Sequence, residues 1–150
     1  MLAASFVSFL HFAAAFGVFG TLLGEWLLLS RAPDLANARR LQQLDRWYGM
    51  CAVVLLVAGL LRAWRYEKGL DFYLATPFFH AKLTFFVLLG LLSIYPTVVF
   101  IRWGRDTRRG QVPVLPPGQQ RTLARLVQLE LLAFAAVVAC ATLMARGAGA

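Results

Sequence analysis

The chain has 150 residues, of which 60% are hydrophobic and only 15% charged, and its mean hydropathy is +0.67. Soluble domains average about 45 to 50% apolar and about 25% charged residues, so this composition excludes a soluble domain and predicts an integral membrane protein. The net charge of +8 does not point to nucleic acid, because of where the basic residues lie.

The apolar residues fall in four blocks, Leu2 to Leu29, Trp47 to Tyr66, Pro77 to Ile101 and Leu126 to Ala145. Each is near the roughly 20 residues that cross a bilayer as helix. They predict one domain over 1–150, all-α, an integral membrane four-helix bundle with helices about 2–29, 47–66, 77–103 and 123–145. The first block is read as a mature helix rather than a secretory signal: Met1 to Leu10 carries no Lys or Arg, and the apolar run is too long for a signal core.

Its row of small residues, Ala13, Gly17, Thr21 and Gly24, would let another helix approach closely in lipid. That face is the expected contact for a homo-oligomer or a membrane partner protein. The second span is framed by Trp47, Tyr48, Trp64 and Tyr66, the aromatic belts expected at the two interfaces. The third contains Pro96, which leaves a backbone carbonyl near Leu92 without its donor and predicts a bend. The stretch from Gly104 to Gln120, with Pro113, Pro116 and Pro117, reads as an exposed connector.

Loops one and three hold ten of the fifteen basic residues: Arg31, Arg39, Arg40 and Arg46, then Arg102, Arg105, Arg108, Arg109, Arg121 and Arg125. The second loop and the C-terminus hold Arg62, Arg65, Lys68 and Arg146, and Lys82 lies inside a span. Basic loops stay cytoplasmic. Both termini are therefore expected outside, and the basic excess is mostly topology with a modest attraction to anionic lipid. Cys51 and Cys140 differ in depth by about 15 Å at 1.5 Å per residue, too far for a disulfide; they read as packing or lipid-facing residues, with no zinc spacing.

Ionisable groups inside a bilayer are costly, so function is sought there first. The outer half holds His11, Arg62, His80 and Lys82. His11 and Lys82 each lie about 8 to 9 Å deep, and the two could face one another. An imidazole can ligate haem iron, a desolvated lysine can coordinate or accept a proton, and Arg62 is placed to hold a propionate. His80 is an alternative ligand. The plainer reading has His11 bonded to a backbone carbonyl and Lys82 reaching for the headgroups. The inner half holds Glu25, Glu130 and Arg125. A structural ion pair of Glu130 with Arg125, or across helices with Arg46 or Arg31, stands beside a proton relay through Glu25 and Glu130.

Throughout its length the chain resembles a bacterial family of four-helix membrane proteins known as domain of unknown function 2214. It is also distantly similar to HemJ-type protoporphyrinogen IX oxidases and CopD-like helix bundles. The segments that carry the likeness are LHFAAAFGVFG, LDRWYG, VAGLLR and PFFHAKLTFFVLLGLLSIYPT. HAKLTF, from His80 to Phe85, is the most specific, and resembles the HxKLTF segment of HemJ-type enzymes. In those enzymes a helix 1 histidine and this lysine act around haem b.

The resemblance implies haem b between the first and third helices, with His11 on the iron, Lys82 in the same pocket, and a redox or electron-transfer role in a bacterial inner membrane. Val18, Leu27, Leu92, Ser93 and the run Arg125 to Val127 depart from the HemJ-type pattern, so the likeness extends to architecture and haem pocket rather than to protoporphyrinogen oxidation. The alternatives are a cofactor-free accessory or assembly subunit and a small oligomeric transporter.

Overall fold

The computed structural model describes residues 2–31, 34–66, 74 and 76–146. Lys68, counted above with the second loop, lies outside them, as does the side chain of Tyr66. Four long helices account for most of the chain: α1 Leu2–Leu29, α2 Leu35–Leu61, α3 Pro77–Arg108 and α4 Gln119–Ala145. All four are long and apolar enough to cross a membrane. Residues Arg62–Tyr66 continue α2 as a wider π turn.

α2 begins twelve residues before the apolar block that predicted it. Asp34 starts it as an N-cap, its Oδ1 accepting from the Asn37 backbone N–H at 2.6 Å and its Oδ2 from Asn37 Nδ2 at 3.0 Å. Hydropathy marked where lipid begins, whereas the cap sets where the helix begins. α3 likewise runs past Ile101 to Arg108 and stops at Gly110, whose φ of 73° suits the left-handed end of a helix. Pro96 is buried inside α3, which stays helical from Pro77 to Arg108.

α1 and α2 form one antiparallel hairpin and α3 and α4 another, and these are the two most extensive helix pairs. The α1–α4 and α2–α3 seams join the hairpins and are thinner, and α1 and α3 stand on a diagonal with no close backbone approach among the described residues. Small residues set the first hairpin. A Cβ on Gly17 would collide with Cys51 Sγ, and one on Gly24 would lie 3.0 Å from Leu44. Seven residues forward on α1 is thus seven back on α2. The Thr21 hydroxyl donates to the Gly17 and Val18 carbonyls of its own helix.

The row Gly17, Thr21, Gly24 is therefore used inside the chain. Of the small-residue row expected to meet a partner, Ala13 alone is exposed. Small residues bring backbones together wherever a helix is available, and the nearest one is the helix that follows. Cys51 and Cys140 are both free thiols, Cys51 packed beneath Gly17 and Cys140 buried.

Between the hairpins Val18, Leu22, Leu89, Phe100, Leu123 and Val127 are fully buried. Many of the contacts across the seams are polar. Arg39 donates to the Thr107 carbonyl at 2.9 Å, Gln42 Nε2 to the Phe100 carbonyl at 2.8 Å and Thr107 Oγ1 to Gln42 Oε1 at 3.1 Å. Gln120 Nε2 reaches the Leu29 carbonyl at the end of α1 and the Arg31 carbonyl just beyond it, both at 2.7 Å, the first an acceptor that a helix end leaves open.

A buried acidic centre in the inner half of the bundle

The outer polar group divides by hairpin. On the α1–α2 side, His11 donates from Nδ1 to the Leu55 carbonyl at 3.2 Å. Its ring lies so close to Gly59 that a Cβ there would be 3.0 Å from Cε1. Arg62 stacks over the Phe12 ring at 5.2 Å, so His11 and Arg62 belong to one neighbourhood. On the α3 side, His80 is exposed and donates from Nε2 to the Leu74 carbonyl at 2.8 Å, closing the start of its own helix. Lys82 Nζ lies 5.6 Å over the Phe79 ring.

Equal depth had suggested that His11 and Lys82 face each other. The helix order puts them on diagonal helices; His11 bonds to the Leu55 carbonyl of α2, and Lys82 lies over Phe79 of its own helix. Depth follows from counting along a helix; position around a bundle depends on which helices are neighbours.

The inner group does converge. Glu25 on α1 is 2% exposed and Glu130 on α4 is 1% exposed. Both lie on apolar stripes: Val18, Leu22, Glu25, Leu29 on one helix, and Leu123, Val127, Glu130, Phe134 on the other. Spacings of three and four residues turn each stripe inward. α2 adds two residues to the same centre. Asp45 is buried and accepts at Oδ1 from Thr97 Oγ1 of α3 at 2.6 Å. Tyr48 is buried with its hydroxyl reaching toward Glu130 and Ser93, bonded to neither.

Glu25 is within electrostatic reach of both Asp45 and Glu130. Among the described residues, Oε1 of Glu25, Oε1 of Glu130 and the Tyr48 hydroxyl have no hydrogen-bond partner. Arg125 is exposed, as are Arg31 and Arg46, and none of them forms an ion pair with Glu130 among the described residues. The structural ion pair expected for Glu130 is thus replaced by a carboxyl facing a phenol.

Asp45 was missed as a site residue because the helix was expected to start at Trp47, and Tyr48 because it was read as part of the interfacial aromatic belt. With the start at Leu35, Gln42, Asp45 and Tyr48 follow at i, i+3 and i+6, and the spacing that would have found them was present in the chain. The centre thus combines three carboxyls, one phenol and two hydroxyls, Ser93 and Thr97, drawn from all four helices. Such a set can accept, hold and donate protons. Among the described residues, no group of three His, Cys, Asp or Glu side chains is placed to hold a metal ion, these three carboxyls included.

With this geometry in hand, the chain proves to be a multi-pass membrane protein of a recognised type. It belongs to the DUF2214 family of predicted membrane proteins, which matches residues 3–149. No curated protein and no solved structure matches it. The family match covers the four helices, and the likeness to HemJ-type and CopD-like proteins is not among these findings.

Proposed function

We propose that this protein binds and releases protons at the Glu25–Asp45–Tyr48–Glu130 centre and serves a proton-coupled process in a bacterial inner membrane. The observation that carries the reading is the set of buried oxygens on Glu25, Glu130 and Tyr48 that have no partner among the described residues. Uncompensated carboxylates in a low-dielectric interior are strongly disfavoured unless a cation joins them, and a proton is the counter-ion this donor set suits. No bond other than O–H is made or broken: a proton taken from water is bound at a carboxylate oxygen and returned to water.

Asp45 is the entry. It lies one helical turn inward of Gln42, which floors a cleft at the arginine-rich end of the bundle, and the basic loops orient that end to the cytoplasm. Thr97 fixes its carboxyl, and Glu25, Tyr48 and Glu130 lie beyond. Infrared difference spectra of the protein in liposomes, recorded across a pH step, test the reading. A carboxylic C=O band that loses separate components in Glu25→Gln and Glu130→Gln is expected. Spectra identical in the parent and both variants would defeat it.

A second reading keeps haem b on His11, favoured by one observation. The Nδ1 bond to the Leu55 carbonyl is the kind of second contact that orients an iron-ligating imidazole through its other nitrogen. Arg62 is the residue to hold a propionate, and the bound group would supply one-electron chemistry. What weighs against a shared pocket with His80 and Lys82 is the diagonal position of α1 and α3. An oxidised and dithionite-reduced optical spectrum of the detergent-purified protein, expressed with haem supply, tests it: sharp reduced α and β bands lost in His11→Ala support it, and a colourless folded sample rejects it.

A further inference from the structure

At the arginine-rich end, α2 and α3 part above the Asp45–Thr97 bond and leave a cleft of about 340 Å³ lined by Arg39, Gln42, Gln43, Arg46, Thr107 and Arg108. Its floor is fixed. Thr107 and Gln42 are buried and bonded to each other at 3.1 Å, and Gln42 is held to the Phe100 carbonyl at 2.8 Å. Arg39 is tied to the same floor through the Thr107 carbonyl at 2.9 Å, a contact that uses one of the five N–H donors of a guanidinium. Arg39 and Arg46 are seven residues apart and so share one face of α2, while Arg108 comes from the opposite wall.

Three guanidiniums line this cleft and no carboxylate does. Asp45 lies buried beneath, where it accepts from Thr97 and is within electrostatic reach of Arg46. A planar fork of N–H donors matches phosphate oxygens in pairs. The depth suits the same chemistry. Arg46 directly precedes Trp47, the aromatic residue at the apolar boundary, and Arg39 lies about 10 Å farther out at 1.5 Å per residue, which spans the headgroup layer.

We propose that the Arg39–Arg46–Arg108 cleft is a binding site for a phosphate group, presented either by an anionic lipid headgroup or by a soluble phosphate. The site does not depend on the proton reading: its arginines line the cleft, and of the three Arg46 alone is within electrostatic reach of Asp45.

The test uses the full chain with two paired variants, Arg46→Gln/Arg108→Gln in the cleft and Arg121→Gln/Arg125→Gln on α4, which remove equal charge. In one arm, phosphatidylglycerol retained through detergent purification is counted by mass spectrometry. In the other, inorganic phosphate is titrated calorimetrically into protein held in neutral phosphatidylcholine nanodiscs. The cleft pair should lower retention or affinity about tenfold, the loss of roughly one strong charged contact, while the α4 pair leaves it unchanged. A fall in the first arm alone names the lipid, and a fall in the second names the soluble anion. Binding in neither arm, or an equal fall in both variants, would overturn the site and leave the arginines as topology signals only. Thermal unfolding of each variant, expected to match the parent because all four arginines are exposed, separates lost binding from lost fold.

Discussion

Thr97 and Asp45 meet at 2.6 Å across the α2–α3 seam, a hydroxyl from one hairpin donating to a buried carboxyl of the other. Thr97→Val keeps the shape and removes the donor, leaving the carboxyl buried without this partner. It should cost about 1 to 2 kcal/mol in unfolding followed by denaturant titration in detergent. Asp45→Asn, which still accepts the bond, should cost less than Thr97→Val; the reverse order would mean that the charge of Asp45 itself holds the seam.

Glu25 and Glu130 have the opposite expectation. Each presents a buried oxygen with no partner among the described residues, so Glu25→Gln or Glu130→Gln removes uncompensated acidity while preserving volume. Either variant should be as stable as the parent or more stable, by about 1 kcal/mol. A marked loss of thermal stability in both would show that these carboxyl oxygens are partnered in the folded protein.

Gly17 tests the first hairpin. A Cβ there runs into Cys51 Sγ, and overpacking of this kind costs about 1 to 3 kcal/mol. Gly17→Ala should destabilise by that amount and recover most of it when combined with Cys51→Ala, a coupling measured by a double-mutant cycle. Gly20→Ala and Gly90→Ala meet open space and should be neutral or gain up to about 1 kcal/mol of helix propensity.

The Asp34 cap is a local test of where α2 begins. Asp34→Ala removes the acceptor for the Asn37 N–H and should cost about 1 kcal/mol. Hydrogen exchange should rise at the first turn, Leu35 to Ala38, and stay unchanged at Tyr48.

In any preparation that carries haem, His11→Ala should abolish it, whereas His80→Ala and Lys82→Ala should leave the haem content per chain unchanged. His80 is occupied at the start of α3 with the Leu74 carbonyl, and Lys82 lies over Phe79. Loss of haem in Lys82→Ala would restore a pocket shared between α1 and α3.

The four spans were legible because length and apolarity alone define them. Glu25 and Glu130 were legible as intramembrane acids, and their inward direction follows from the apolar stripes they interrupt. Asp45 was not, because hydropathy ends at Trp47 while the helix reaches back to Leu35 under an Asp34 cap, and Tyr48, inside the apolar block, read as an interfacial belt residue although it is buried. The pairing of His11 with Lys82 rested on depth alone. Sequence spacing measures depth, and nothing in it fixes which two of four helices stand diagonally opposite.

The division of labour between the seams bears on how the chain is made. Within the α1–α2 hairpin the contacts include glycines against Cys51 and Leu44 and the His11 bond to the Leu55 carbonyl, which need nothing from the second half of the chain. Across to α3 and α4 many are hydrogen bonds, such as Asp45 with Thr97, Gln42 with Thr107 and Gln120 with the end of α1. During synthesis the first hairpin can close before α4 leaves the ribosome. Glu25 and Asp45 then wait in the bilayer for a polar neighbourhood that only the last helix completes, which makes the arrival of Glu130 the step at which the acidic centre comes into being.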